Sequence, residues 1–266
     1  MGSFDVNGLS VGYGEKNVID GLSFSLESGR VCGILGANGS GKTTLIKSIA
    51  GILRHDGECV LDGVKLEGLS VRTLSRKIGY IPQRSGIGID ISVLDVVLMG
   101  FNPQLGLLEH PTQDMKNKAL CALSAVGLGN TAQKNYMHMS EGQKQLCILA
   151  RTLVTDGRLL LLDEPESALD FHFRYRMLKI IRNWVLKDGR FALVALHDPM
   201  LALNYCDELL LLKSGRKAGV LCPGRDSFEK MEEYLSAIYG SVSLASCVGR
   251  SGRRHIIMLN EGEDEK

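Results

Sequence analysis

At 266 residues the chain has room for one large domain or two small ones. Its 31 basic and 30 acidic side chains leave a net charge of +1, which argues against nucleic acid as a partner, because counterion release needs a concentrated basic surface. A hydrophobic content of 44% with only 6% aromatic residues fits an α/β protein with an aliphatic core.

The start, Met1-Gly2-Ser3-Phe4-Asp5, lacks the basic-then-apolar order of a secretory signal. The first apolar run, 31–35, reads as a buried strand. It leads into Gly36-Ala37-Asn38-Gly39-Ser40-Gly41-Lys42-Thr43-Thr44, and an apolar-striped helix follows over 44–50. The loop fits G-x-x-x-x-G-K-[ST]. Its glycines let successive backbone N–H groups turn around a polyphosphate, Lys42 reaches the outer phosphates, and the Thr43 hydroxyl suits Mg²⁺. The helix N-terminus adds its own attraction for the anion.

A second strand, 78–81, ends at Pro82-Gln83. Ser92 and Asp95 are spaced as a capping box opening an apolar helix to Met99, and 115–126 is a second amphipathic helix. Ser140 and Gln143, within Met139-Ser140-Glu141-Gly142-Gln143-Lys144-Gln145, form an S-x-x-Q capping box before a helix whose apolar face carries Leu146, Leu149, Ala150, Leu153 and Val154. The run 159–162 ends at Asp163-Glu164, and the run 191–196 at His197-Asp198. Beyond residue 225, a helix over 226–239 is expected. A hairpin of 242–248 with 255–259 around 249–252 and a disordered tail over 261–266 complete the chain. The cluster Arg250, Arg253, Arg254 reads as a solvated turn.

Short continuous apolar runs separated by helical patterns indicate strands covered on both faces, and hence a largely parallel sheet. Ligands in such sheets sit beyond the carboxyl ends of the strands. Each of the four runs ends in a group suited to phosphate, metal or water. Asp163 is placed to hold Mg²⁺ through a water, and Glu164 to polarise an attacking water as general base. His197 at its strand end can donate to a γ-phosphate and to that water. The other histidines (55, 110, 138, 172, 255) have no such setting. The seven cysteines are scattered and free of C-x-x-C pairs, which reads as free thiols of a reducing cytosol with no metal site among them. No apolar run approaches the ~20 residues needed to span a bilayer, so the protein is expected to be soluble alone and to reach a membrane only through a partner.

Taken together, these motifs resemble the nucleotide-binding subunit of an ATP-binding cassette transporter, over about residues 4–240. Ser140-Glu141-Gly142-Gln143 is similar to that family's signature, and Ser167-Ala168-Leu169-Asp170 to the loop after its acidic strand. Gln83 resembles its coupling glutamine, His197 its switch histidine, and Tyr13 in Val11-Gly12-Tyr13-Gly14 the aromatic that stacks on adenine. The resemblance implies a P-loop NTPase (RecA-like) α/β core with a mostly parallel sheet and an antiparallel β region near the N-terminus. A helical subdomain is inserted at about 88–155, and 241–266 is a short extension.

It implies ATP and Mg²⁺ as ligands. Tyr13, residues 36–44, Ser140, Gly142, Gln143 and Asp170 would bind nucleotide. Thr43, Gln83 and Asp163 would serve the metal, and Glu164, His197 and Gln83 catalysis. It also implies a second copy closing head-to-tail over two ATP molecules, membrane-spanning permease subunits, an extracytoplasmic binding protein, and a place at the cytoplasmic face of the membrane. One signature position departs from the family, Glu141 where glycine is usual. A carboxylate in a first helical turn suits the helix dipole, and its side chain is expected to point aside from the phosphate. The stretch 96–106 and Leu196-His197-Asp198-Pro199-Met200-Leu201-Ala202 resemble the importers of iron–siderophores, haem and vitamin B12. Zinc, manganese, molybdate and tungstate importers, and soluble cassette ATPases not linked to transport, are the alternatives.

Overall fold

The computed structural model describes residues 2–14, 16–83, 86–106, 108–166, 169–250 and 252–262. In chain order the elements are β1 (Ser3–Tyr13), β2 (Lys16–Glu27), β3 (Arg30–Leu35), α1 (Lys42–Ile49), β4 (Asp56–Leu61), β5 (Val64–Lys65), α2 (Val71–Lys77) and β6 (Ile78–Ile81). Then come α3 (Val93–Leu98), α4 (Gln113–Ala125), α5 (Glu141–Leu153), β7 (Leu159–Asp163), α6 (Phe171–Asp188), β8 (Phe191–Ala195) and α7 (Pro199–Tyr205). The chain closes with β9 (Glu208–Lys213), β10 (Arg216–Leu221), α8 (Phe228–Tyr239), β11 (Val242–Val248) and β12 (Arg254–Asn260).

The central sheet has the order β10-β9-β3-β8-β7-β6 and is parallel except for the β9–β10 edge pair. Successive side chains of a strand face opposite sides, so each central strand feeds two cores. Val31 and Leu35 of β3, Leu160 and Leu162 of β7, and Ala192 and Val194 of β8 join one apolar cluster with α3 to α7. Cys32 and Ile34, Leu159 and Leu161, and Phe191, Leu193 and Ala195 join the other, with α1 and the N-terminal sheet. This is why these runs are apolar throughout rather than alternating.

The N-terminal sheet, β2-β1-β4-β5, is antiparallel. The segment between β6 and β7 is helical and inserts into the core. Its helices start where their capping residues predict. Ser92, Thr112 and Ser140 each accept a hydrogen bond from the backbone N–H three residues on. At Ser92 the reciprocal bond differs from a capping box: the Ser92 hydroxyl donates to Asp95 Oδ2 at 2.6 Å, so the carboxylate meets the side chain and not the backbone N–H.

β11 and β12 pair antiparallel and lie against the core, with Val242 and Leu244 buried in the cluster of α3 to α7. Asn204 of α7 pairs with the edge of β12: its Nδ2 donates to Ile256 O at 2.8 Å, and its Oδ1 accepts from Ile256 N at 2.9 Å. The arginines expected in a solvated turn, Arg250, Arg253 and Arg254, are exposed, and two of them also make contacts. Arg253 donates to Asn204 O at 2.8 Å and sits 4.9 Å from the Tyr205 ring centroid, and Arg254 lies 5.5 Å from that of Phe228. Their planar cations stack on aromatics that the fold brings from elsewhere in the chain. Of the tail, only residues 261 and 262 are among those described.

Candidate active site

β3, β6, β7 and β8 are parallel neighbours, so their carboxyl ends lie on one edge of the sheet. β3 runs into the glycine loop. Gly41 precedes α1 at φ +101°, a left-handed conformation that lacks a steric penalty only without a Cβ. At Gly36 a Cβ would lie 2.5 Å from Leu212 O. No side chain caps α1, so its first-turn N–H groups remain available at the positive end of the helix dipole. Ser40 Oγ is buried and has no hydrogen-bond partner among the described residues. A glycine cradle, an uncapped helix start and an orphaned hydroxyl are the donor set that a polyphosphate needs. A cleft here is lined by Tyr13, Val18, residues 38–44 and Glu164, and Tyr13 stands exposed at its rim.

Lys42 Nζ donates to the carbonyl oxygens of Gly36 at 2.9 Å and Ala37 at 3.4 Å, and lies 3.8 Å from Glu164 Oε1. Thr43 Oγ1 donates to Asp163 Oδ1 at 2.8 Å. Burial pushes the Asp163 carboxyl above its usual range, opposed by the Thr43 bond and the charges of Lys47 and Lys42. The Thr43–Asp163 oxygen pair fits a hard divalent cation, whose charge would offset that burial.

Glu164 is where the strand ends meet. Its Oε2 accepts from Gln83 Nε2, past the end of β6, at 2.9 Å and lies 2.6 Å from His197 Nε2, past the end of β8. Its backbone sits at φ +48°, a region few non-glycine residues occupy, while its N–H donates to Ala195 O at 3.2 Å. The carboxylate is thus shared among three elements before any substrate arrives.

Two further residues belong to this assembly and escaped the sequence reading. Gln145, buried on α5, donates from Nε2 to Gln83 O at 3.0 Å, tying the helical insertion to the end of β6. Glu166, only 2% exposed, accepts the His197 N–H on Oε1 at 2.8 Å, and its Oε2 has no partner among the described residues. Gln145 lies in the signature segment and Glu166 two positions after Glu164, but their targets are 62 and 31 residues away, beyond any local pattern.

Burial raises the Glu166 carboxyl, partly countered by the His197 N–H. A carboxyl whose folded pKa is raised holds its proton more tightly folded than unfolded. Stability therefore falls as pH climbs from the ordinary carboxylate pKa to the raised one, then levels off. Glu166→Gln keeps an oxygen for the His197 N–H and removes the charge. It is expected to be about 1 kcal/mol more stable than wild type at pH 8, with the gap closing toward pH 4. Urea melts across that range measure it.

Ser140, Gly142 and Gln143 open α5 and are not among the residues lining the cleft. The capping box forms: Ser140 Oγ accepts from Gln143 N at 3.3 Å, and Gln143 Oε1 accepts from Ser140 N at 3.1 Å. Gln143's side chain is therefore occupied by the cap, while the exposed Ser140 hydroxyl keeps its proton to donate. Glu141 Oε1 accepts from Lys144 Nζ at 2.7 Å, which holds the carboxylate along the flank of α5. Asp170, also exposed, caps α6 by accepting from Phe173 N at 3.1 Å. Ser167 and Ala168 of the same loop lie outside the described residues.

The family described as ABC transporter matches residues 19–167. A hemin import ATP-binding protein, HmuV, of Pseudomonas entomophila (strain L48) is 35% identical over 229 residues, covering 83% of this chain and 87% of that protein. A manganese transport system ATP-binding protein, MntB, of Listeria monocytogenes is 31% identical over 249 residues, covering 92% and 99%. Among solved structures, an ABC transporter described as of metal-chelate type, in an inward-facing conformation, matches with a TM-score of 0.82 and 25% identity over 98% of this chain and 99% of that one.

Proposed function

The chain belongs to the ABC transporter family of ATPases, and on that premise we propose that it is the ATP-hydrolysing subunit of an importer for a metal chelate of the hemin or cobalamin type. The observation that carries the catalytic part is the meeting of Gln83, His197 and Lys42 on the Glu164 carboxylate, beside the Thr43–Asp163 pair and the uncapped start of α1.

In this reading the loop 36–41 and the α1 N–H groups bind the phosphates, Lys42 swings from the Gly36 carbonyl to the outer phosphates, and Tyr13 stacks on adenine. Thr43, Asp163 and Gln83 would hold Mg²⁺, which would supply positive charge to offset that of the outer phosphates. Glu164 accepts a proton from the attacking water. Gln83 and His197 both engage Oε2, so Oε1, which only faces Lys42 at 3.8 Å, is the oxygen left to take that proton once Lys42 moves to the phosphates. His197 then donates to the outer phosphate, positioned by Glu166 through its backbone N–H. Gln83, held by Gln145, carries the change into the helical insertion, where the permease docks.

Ser140, Gly142 and Asp170 serve the nucleotide of a second copy. They are exposed or half-buried and outside the chain's own cleft, which supports a head-to-tail pair closing over two ATP molecules. No helix among the described residues is long and apolar enough to cross a membrane. We place the subunit at the cytoplasmic face, on permease subunits fed by an extracytoplasmic binding protein. The hemin relative and the metal-chelate structure favour that cargo class. The manganese relative, covering 92% of this chain, keeps a metal-ion importer as the second reading.

The test is recovery of the tagged subunit from detergent-solubilised membranes. A many-helix permease is expected to co-purify and to raise ATP turnover when chelate-loaded binding protein is added. Recovery with ribosomes or DNA instead would overturn the transport assignment.

A further inference from the structure

The segment after α1 carries His55, β4 carries Cys59, and the turn after β5 carries Glu67. The fold brings one ligand atom of each to within 4.8 Å of the others. None of the three lines the cleft of the candidate active site. We propose that His55, Cys59 and Glu67 form a binding site for a zinc-class divalent cation, with water as the fourth ligand.

The donors are oriented as a metal site requires. Glu67 Oε1 accepts the Cys59 N–H at 2.7 Å, which fixes the carboxylate. His55 Nδ1 lies 3.2 Å from the Asp56 carbonyl oxygen, the outer-shell partner by which metal-binding imidazoles are commonly aimed. With the Nδ1 proton on that carbonyl, Nε2 turns its lone pair toward Glu67 Oε1 at 3.5 Å. Two acceptors facing each other need a cation or a proton between them.

The site is also enclosed. Cys59 is wholly buried, the His55 side chain is 7% exposed and that of Glu67 31%, so an ion enters from the Glu67 side into a pocket closed behind by the thiol. A nitrogen, a sulfur and an oxygen together suit Zn²⁺ better than Mg²⁺ or Ca²⁺, which take oxygen alone. Tetrahedral coordination at Zn–S of about 2.3 Å and Zn–N of about 2.0 Å sets ligand atoms roughly 3.5 Å apart. The trio therefore closes by about 1 Å, within reach of small rotations of the Glu67 and His55 side chains.

Burial and the neighbouring Glu67 carboxylate push the Cys59 thiol up, so the resting group is S–H. On binding, the S–H bond breaks, a metal–sulfur bond forms, and the proton leaves to solvent.

Cobalt(II) added to the chelator-washed full chain is the probe. One equivalent is expected to bind with a near-ultraviolet sulfur-to-cobalt absorption, displaced by Zn²⁺. Cys59→Ala is expected to abolish the absorption. Because that substitution touches the core, Glu67→Ala and His55→Ala, which remove the other two ligands, provide the independent arm, each expected to raise the Zn²⁺ Kd at least tenfold. The cluster Thr43, Asp163, Glu164 and His197 offers no sulfur, so cobalt bound there lacks the band. Absence of the band, its persistence in Cys59→Ala, or an unchanged Zn²⁺ Kd in both Glu67→Ala and His55→Ala would each overturn the site, leaving only a His55–Glu67 ion pair.

Discussion

Glu164→Gln is expected to lower ATP hydrolysis by about 10²- to 10⁴-fold while leaving nucleotide binding intact. The amide is isosteric and can still meet Gln83 and His197, so the local geometry survives. What it loses is the ability to accept the proton of the attacking water. It also loses a negative charge near the outer phosphate, which favours the ATP-bound state over the free one. The variant is therefore expected to accumulate as a nucleotide-bound dimer, read by size-exclusion chromatography with Mg²⁺ and ATP, while phosphate release stays near background. Unimpaired turnover by this variant would remove Glu164 from the role of base.

Lys42→Ala is expected to act one step earlier, on binding. The Lys42 side chain is only 4% exposed, and its ammonium lies 3.8 Å from the Glu164 carboxylate. In the proposed complex Lys42 pairs with the outer phosphates, and truncating one partner of a buried charge pair across a binding interface costs about 2–5 kcal/mol, roughly a 30-fold or greater rise in the ATP Kd. Titration with a fluorescent ATP analogue reads this directly, and a thermal melt distinguishes lost binding from lost folding. Wild-type affinity in a folded Lys42→Ala protein would mean that the loop 36–41 and the α1 N–H groups bind phosphate without the ammonium.

Much of the architecture could be read from the chain because its signals are local. The runs 31–35, 78–81, 159–162 and 191–196 match β3, β6, β7 and β8 to within a residue or two, since a strand buried on both faces is a short apolar run with a polar end. Helix starts at Ser92 and Ser140 follow from a side chain and a backbone N–H three residues apart. The run Leu209–Leu212 of β9 escaped notice because it ends in Lys213 and carries no group suited to the site. The N-terminal sheet could be expected only from family resemblance. Bulges between Val6 and Leu9, Leu9 and Val11, and Val11 and Gly12 break the alternation that would mark β1.

Contacts between distant segments left no local trace. Gln145 on the Gln83 carbonyl, Glu166 on the His197 N–H and Arg253 on Tyr205 each depend on packing that no window of sequence contains. His55, Cys59 and Glu67 do share one short stretch, 55–67, but H-x-x-x-C followed by a glutamate is not a familiar metal-ligand spacing. Glu67 becomes a neighbour only when β4 and β5 pair.

The division of each central strand between two apolar clusters has a thermodynamic consequence. Val31 and Leu35 belong to one layer while Cys32 and Ile34, on the same stretch of backbone, belong to the other. Neither layer can melt without stripping the shared strands from its neighbour, so the helical side and the α1 side are bound into a single cooperative unit, with no half of the sheet able to persist alone.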